Sequence, residues 1–227
     1  MMRPPLSVDV EVVGERLTAR ADRALVWRAQ RTVFIADLHL GKAATFRGAG
    51  IAVPERGTAE DLARVTTIVR EEAADRLVIL GDFFHARQGR TASITEALAA
   101  WRASIEDVEV LMIRGNHDRS AGDPPASARM EIADNGAVCG PFVLRHEPGI
   151  DAAGYVLAGH THPAVRLEDP RTGQSAKAAC FWFGAACGVL PAFGGFTGTA
   201  VVRPQRGDRM IALVGGGAID VSGRVVG

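Results

Sequence analysis

Polar and apolar residues alternate along the segment 7–37, which is the pattern of strands and hairpins. Val8, Val10 and Val12 occupy every second position, and an apolar run at 32–35 leads into Asp37. Side chains two residues apart share a face of a strand. We therefore predict a β-rich N-terminal region whose last strand ends close to a carboxylate.

Two helical patterns separate short apolar runs further along the chain. Apolar residues recur at helical spacing between 58 and 73, with Thr58 as the predicted N-cap, and a second helix is predicted over 91–104. The runs 77–80 and 108–113 are predicted to be buried strands. This order of strands and helices predicts a parallel sheet with right-handed crossovers, whose functional sites form at the carboxyl ends of the strands.

The second half of the chain carries many glycines and few helical signals. Strands are predicted at 138–145, 155–158, 200–203 and 210–214. Because the sequence contains no linker, repeat or low-complexity segment, residues 1–227 are predicted to form a single domain. The expected fold class is α/β, with two mixed β-sheets packed as a sandwich.

Composition is that of an ordinary soluble globular protein, with 47% hydrophobic and 23% charged residues. Lys plus Arg and Asp plus Glu both total 26, so no chain-wide positive field attracts nucleic acid. The sequence has no membrane-length apolar run and no signal-peptide pattern, so we expect a cytoplasmic protein with no membrane partner. Cys139, Cys180 and Cys187 lack CxxC spacing and are expected to be reduced thiols.

Five short motifs rich in Asp, His and Asn occur along the chain, most of them after an apolar run. In order, they are Asp37-Leu38-His39, Gly81-Asp82, Gly115-Asn116-His117-Asp118, His146 and Gly159-His160-Thr161-His162. Of the six histidines, only His85 lies outside these motifs. In a regular strand, Asp37 and His39 would share a face. The same holds for His160 and His162, so the spacing predicts converging side chains.

Oxygen and nitrogen donors without a thiolate favour Mn²⁺, with Fe or Zn as alternatives, and argue against Cu(I) or an iron–sulfur centre. Two divalent cations about 3.5–4 Å apart are the usual solution for phosphate ester hydrolysis. They neutralise the substrate and lower the pKa of a water so that hydroxide is available. A carboxylate must bridge two such cations, and Asp82 is the natural candidate.

This ordered set resembles the DxH, GD, GNHD, H and GHxH signature of calcineurin-like metallophosphoesterases, between Val33 and Pro163. The resemblance implies a calcineurin-like four-layer sandwich, in which helices flank two mixed β-sheets. It also implies two metal sites that share one ligand. One would be formed by Asp37, His39, Asp82 and His162, and the other by Asp82, Asn116, His146 and His160.

The same resemblance implies that His117 contacts the phosphate and protonates the leaving oxygen, while Asp118 orients its ring. The residues alone also allow Asp118 to be a turn cap. His85 lies in a GDxFH arrangement that resembles the nuclease branch of the superfamily, and Arg87 and Arg119 could contact backbone phosphates. Each of these arginines is equally explained as a solvated surface residue.

Longer segments resemble one subfamily, the bacterial ligase-associated DNA damage response endonucleases. They lie at 37–47, 50–54, 158–163, 180–183 and 190–198. The resemblance implies a manganese-dependent phosphodiesterase that cuts single-stranded DNA in DNA repair, alongside a DNA ligase, a helicase and an exonuclease. Phe46 and Trp182 are candidate base-stacking residues, although aromatic residues in apolar strands are more often core and Trp182 is assigned there.

Two other functions remain open from the sequence. A small-molecule or nucleotide phosphoesterase would use the same dinuclear site, with the loop 41–54 shaping a small pocket. A non-catalytic binding module would keep the fold and lose the metals, which predicts missing ligands. Every position of the signature is present, so the sequence favours an enzyme.

Overall fold

The computed structural model describes residues 5–53, 57–168, 173–195 and 197–223. Its strands are β1 (Ser7–Val12), β2 (Glu15–Arg20), β3 (Leu25–Trp27), β4 (Thr32–Ile35), β5 (Arg76–Leu80), β6 (Glu109–Ile113), β7 (Glu131–Ala133), β8 (Ala137–Cys139), β9 (Phe142–Leu144), β10 (Tyr155–Ala158), β11 (Pro163–Glu168), β12 (Ser175–Phe183), β13 (Cys187–Val189), β14 (Ala200–Val201), β15 (Arg209–Val214) and β16 (Gly217–Asp220). The α-helices are α1 (Lys42–Gly48), α2 (Gly57–Glu71), α3 (Ala92–Ser104) and α4 (Asn116–Ala121).

The first sheet contains β1 to β7 in sequence order. Strands β1 to β4 pair antiparallel, as the N-terminal hairpin pattern predicts, and β4 to β7 pair in parallel. The parallel register places Ile35 beside Ile79, and Leu80 beside Ile113. The carboxyl ends of β4, β5 and β6 therefore lie side by side at one edge of the molecule.

The parallel strands are apolar because both of their faces are buried. In β4, Val33 and Ile35 face a core formed with α2 and α3, whereas Phe34 faces the second sheet. Residues of β5 alternate in the same way, with Leu77 and Ile79 on the helix side. Successive residues therefore point to opposite faces of the sheet. Because both faces are buried, these strands appear in the sequence as continuous hydrophobic runs.

The second sheet has nine strands in the order β14-β11-β12-β13-β10-β9-β8, with β15 and β16 attached through β12. Strand β10 pairs in parallel with both β9 and β13, while most other pairs are antiparallel. The inner face of the second sheet contributes Phe142, Leu157 and Phe181 to the core between the sheets. The parallel strands β9 and β10 have their carboxyl ends next to one another, just before His146 and His160.

Helix α2 packs its apolar stripe on the first sheet through Leu62, Val65 and Ile68. The predicted N-cap role of Thr58 is wrong, because α2 begins at Gly57. The Thr58 hydroxyl instead accepts a hydrogen bond from the Gly41 N–H at 3.3 Å. Thr91 does cap α3, since its hydroxyl accepts a hydrogen bond from the Ile94 N–H at 3.4 Å.

The predicted fold class, α/β with two mixed sheets and helices, is confirmed. The prediction of one strand over 138–145 is wrong, because a turn divides it into β8 and β9. Gly140 in this turn has φ 58°, and a Cβ there would collide with Trp27. The single-domain assignment remains a prediction. In the part of the chain that the structure describes, no helix is long and apolar enough to cross a membrane.

Phe142→Ala should show how strongly the core between the sheets stabilises the fold. Phe142 is fully buried, and its ring meets Trp27 of the first sheet edge-on at 5.1 Å. We expect the free energy of unfolding, measured with urea, to fall by about 3–5 kcal/mol. Val138→Ala is the control, because Val138 is 60% exposed and its loss should change stability by less than about 0.5 kcal/mol. Equal effects would contradict this packing.

Candidate metal centre

The predicted metal ligands follow the carboxyl ends of five strands from both sheets. Asp37 and His39 follow β4, and Asp82 follows β5. Asn116 follows β6 and opens α4, His146 follows β9, and His160 and His162 follow β10. Parallel strands deliver their ends to one edge, so donors from distant parts of the sequence meet there.

The turns after β4 and β5 are joined by backbone hydrogen bonds. The Asp37 N–H donates to the Gly81 carbonyl at 3.1 Å, and the His39 N–H donates to the Asp82 carbonyl at 2.8 Å. These bonds extend the pairing of the two strands beyond their ends. The backbones of the two turns are consequently held in a fixed position relative to one another.

The expectation that Asp37 and His39 share a face of a regular strand is wrong, because neither residue has strand geometry. Asp37 has φ 54° and His39 has φ 49°, so both adopt the left-handed conformation. His160 and His162 depart from strand geometry in the same way, with φ 70° and 47°. The side chains still converge, because the backbone turns at both donor residues of each motif.

Backbone strain is concentrated at this site. Among the described non-glycine residues, five of the ten with positive φ are predicted ligands. They are Asp37, His39, Asp82, His160 and His162. A left-handed residue other than glycine costs about 1–2 kcal/mol, and such residues persist where the surroundings and function demand them. The fold therefore stabilises an unfavourable backbone to aim these donors.

The donors form two groups of three whose ligand atoms lie within 4.8 Å of one another. One group contains Asp37, His39 and His162, and the other contains Asp82, His146 and His160. Asn116 joins the second group, with its Oδ1 2.9 Å from His146 Nε2. The structure thus brings together all seven predicted ligands.

Asp82 belongs to the second group and also lies close to the first. Its carboxylate is 3.8 Å from His39 Nε2 and 3.4 Å from His146 Nε2. Burial raises the pKa of Asp82, and the neighbouring carboxylate of Asp37 raises it further, while His146 and other groups oppose this. Two close carboxylates in a buried site need a compensating positive charge. The central position of Asp82 is the one that a bridging ligand requires.

Three features of the histidines fit a pair of divalent cations. His39 Nδ1 is buried and has no hydrogen-bond partner among the described residues, and burial lowers the pKa of His39 to about 2, which keeps the ring neutral. His146 Nε2 approaches His160 Nδ1 at 3.0 Å, and His39 Nε2 approaches His162 Nε2 at 3.4 Å. A neutral ring at His39 and converging ring nitrogens at the other histidines are what metal ligation requires.

The glycines of the motifs leave room for the ligands themselves. A Cβ on Gly81 would collide with the His146 ring, and one on Gly115 would collide with the Asp82 carboxylate. Gly81 also has φ 81°, a conformation that side chains disfavour. Close approach of the backbone to the ligands therefore explains why glycine precedes the metal-binding residues.

His117 is held by a backbone carbonyl. Its Nδ1 lies 2.7 Å from the His85 carbonyl oxygen, so Nδ1–H donates there and Nε2 faces the site, 3.9 Å from an Asp82 oxygen. The His117 and His85 rings stack with centroids 5.0 Å apart. Their nitrogens and those of His39 lie within 4.8 Å of one another.

The predicted role of Asp118 as the residue that orients His117 is wrong in this structure. The Asp118 carboxylate is buried and accepts hydrogen bonds from the N–H groups of Phe84, Gly115 and Phe83 at 3.0, 2.9 and 3.3 Å. It caps the first turn of α4 and ties this turn to the loop after β5. The alternative interpretation, a turn cap, describes these contacts.

The segment between β13 and β14 makes hydrogen bonds to two of the predicted ligands. The Gly198 carbonyl lies 3.0 Å from His162 Nδ1 and orients that ring. The Gly194 N–H donates to the Asp37 carbonyl at 3.1 Å. Arg64 stacks on the Phe193 ring at 4.0 Å and donates to the Phe193 carbonyl. The sequence indicated this segment only through its family resemblance, because backbone contacts leave no side-chain signal.

The predicted substrate-contacting arginines lie at the margin. Arg87 occupies a short 3-10 helix, Arg87–Gly89, that follows His85, and Arg119 lies in α4. Both are exposed, so their contact with a substrate remains a prediction. Arg90 differs from them, because it stacks on Phe84 at 4.7 Å and donates to the Ala121 carbonyl.

Asp118→Ala tests the cap. Three buried N–H groups would lose their acceptor, so the free energy of unfolding of the metal-free protein should fall by about 2 kcal/mol or more. Urea denaturation provides the measurement. Unchanged stability combined with lost hydrolysis would instead support the direct role of Asp118 at His117.

Asp82→Asn tests the bridge. The variant should lose most of the bound Mn²⁺ that the wild-type chain retains after gel filtration, measured by elemental analysis, because an amide cannot neutralise two cations. His117→Ala is the matched control, because His117 holds no predicted metal and should retain both ions. Equal loss of metal in the two variants would contradict this division of roles.

Comparison with known proteins supports the chemistry of the site. The family model for calcineurin-like phosphoesterases matches residues 30–146. A crystal structure of the Pseudomonas putida nuclease MPE is similar, with a TM-score of 0.82 and 37% sequence identity. That match covers 94% of this chain and 99% of the nuclease chain.

A second similar protein is the DNA double-strand break repair protein Mre11 of Archaeoglobus fulgidus, which is 34% identical over 102 residues. The match covers 43% of this chain and only 21% of that protein, so the chain spans about a fifth of its length. The family match covers more than half of the chain and contains the motifs from Asp37 to His146. The chain therefore belongs to the calcineurin-like phosphoesterase family and is a hydrolase.

Proposed function

We propose that this chain is a metal-dependent phosphodiesterase that cuts single-stranded DNA internally. The observation that carries the proposal is the pair of donor groups around Asp82, with His117 and His85 beside them. Manganese is the proposed metal, with iron or zinc as alternatives, since the donors are oxygen and nitrogen. Bound cations would supply Lewis acidity and a nucleophile at neutral pH.

The residues of the chain would perform the remaining tasks. Asp37, His39 and His162 would hold one cation, while Asn116, His146 and His160 would hold the other, with Asp82 shared. In its imidazolium form, His117 would donate the Nε2 proton to the leaving oxygen and become neutral, with Nδ1–H still donating to the His85 carbonyl.

A polymeric substrate is supported by the openness of the site. Asn116 and His160 are exposed, so an extended strand can reach the donors from solvent. The similarity to a nuclease over 94% of the chain points the same way. We further propose a role in DNA repair in the cytoplasm, together with a DNA ligase, a helicase and an exonuclease, as the subfamily resemblance implies.

The competing function is hydrolysis of a small phosphate ester at the same metals. The cavity next to His39, lined by Lys42, Thr58 and Asp61 among others, measures about 10 Å³. This volume accommodates one water molecule and no larger substrate. Of the predicted ligands, His39 alone lines this cavity among the described residues, and this cavity itself is too small to be the pocket of a small phosphoesterase.

Circular single-stranded DNA is the decisive substrate, because a circle offers no end to an exonuclease. We expect wild-type protein stripped of metal to cut the circle only after Mn²⁺ is added. Asp82→Asn serves as the control for contaminating nucleases and should not cut. Failure to cut, in a preparation that hydrolyses bis(p-nitrophenyl) phosphate with Mn²⁺, would reject the DNA endonuclease in favour of the small phosphoesterase.

A further inference from the structure

A cation and an aromatic ring lie beside the predicted metal ligands without belonging to them. Lys42 opens α1, and its N–H donates to the His39 carbonyl at 3.1 Å. Phe46 lies one turn further along α1. Both side chains are partly exposed, so a ligand at the metal centre can contact them.

The start of α1 is fixed against the loop that carries His85. The Leu40 N–H donates to the Phe83 carbonyl at 2.8 Å, and the His85 N–H donates to the Leu40 carbonyl at 3.1 Å. Gly41 and Gly89 approach so closely that a Cβ on either would collide with the carbonyl of the other. The loop that carries His85 therefore holds in place the start of the helix from which Lys42 and Phe46 project.

A row of rings connects the predicted proton donor with α1. His117 stacks on His85 with ring centroids 5.0 Å apart, and His85 meets Phe46 edge-on at 6.0 Å. The Lys42 Nζ lies 5.9 Å from the centre of the Phe46 ring. The row leads away from the reacting centre and ends in an aromatic ring next to a cation.

Lys42 forms no ion pair with any residue that the structure describes, although its side chain is about half-buried. The carboxylates of Asp82 and Asp37 attract it only through space, and bound cations would neutralise them. A partly buried ammonium in this position is stabilised best by an anionic ligand that extends beyond the metal pair.

We propose that Lys42 and Phe46 form a subsite for the nucleotide adjacent to the scissile phosphate of a DNA strand. Lys42 pairs with the flanking backbone phosphate, and Phe46 stacks on the base. This inference rests on the proposed nuclease function and extends it, since the subsite distinguishes a polynucleotide from a small phosphodiester. A small phosphodiester has neither a second phosphate nor a base to place there.

The first test measures binding without metal or turnover. Fluorescence anisotropy in EDTA follows a labelled oligothymidylate of about 12 residues at several salt concentrations. Lys42→Met should weaken binding and reduce the slope of log K against log salt by about 0.7, the value for one phosphate contact on a single strand. Lys42→Arg should restore the slope.

The chain offers a matched control, because Lys177 is its only other lysine. Lys177 is exposed on β12, where its Nζ donates to the Thr199 carbonyl at 2.8 Å. Lys177→Met removes the same charge and should leave the salt dependence at the wild-type value. A general effect of net charge would change both methionine variants equally.

Phe46 is tested by a change of ring rather than of charge. Phe46→Leu should weaken oligothymidylate binding about fivefold or more with an unchanged salt slope, since stacking on a base carries no charge. Phe46→Trp should retain wild-type affinity. Circular dichroism of each variant verifies that the fold is kept, and the Arg and Trp variants provide the comparison if a truncated side chain disturbs α1.

The second test compares substrates in the presence of Mn²⁺. Lys42→Met should lower kcat/KM on the oligonucleotide at least about fivefold more than on bis(p-nitrophenyl) phosphate. Suppose that wild-type protein binds and cuts DNA while Lys42→Met and Phe46→Leu have the wild-type affinity and the wild-type salt slope. That result would contradict the subsite and leave the proposed nuclease function intact. If wild-type protein neither binds nor cuts DNA, both proposals fall.

Discussion

The site depends on holding two buried carboxylates close together among histidine side chains. Asp37 and Asp82 lie at the ends of neighbouring parallel strands, where backbone bonds between their turns fix the separation. Like charges in a buried site repel, and burial alone already raises the pKa of Asp82. Divalent cations would relieve both the repulsion and the cost of burial, so the affinity for metal would follow from the way the fold places these two carboxylates.

Backbone strain and close packing serve this arrangement. Left-handed conformations at Asp37, His39 and Asp82 aim side chains that a regular strand would send to its faces. The strain is supported by the surrounding structure, which includes the Asp118 cap and the segment whose Gly194 bonds to Asp37. The positions of the metal-binding side chains therefore depend on residues that bind no metal themselves.

The sequence predicted much of this because the signals were local. The apolar runs that became β4, β5 and β6 predicted the parallel sheet, and the donor motifs after them predicted the metal centre. The left-handed turns were missed, the cap formed by Asp118 was one of two interpretations, and the segment around Gly194 was indicated only by the family resemblance. Contacts between residues far apart in the chain, such as Gly198 and His162, are encoded by no periodicity.

Anomalous diffraction at the manganese edge, from crystals grown with Mn²⁺, tests the dinuclear site. We expect two anomalous peaks about 3.5–4 Å apart with the Asp82 carboxylate between them. One peak should lie among Asp37, His39 and His162, and the other among Asn116, His146 and His160. A single fully occupied peak, or two peaks without Asp82 as a shared ligand, would contradict the dinuclear site.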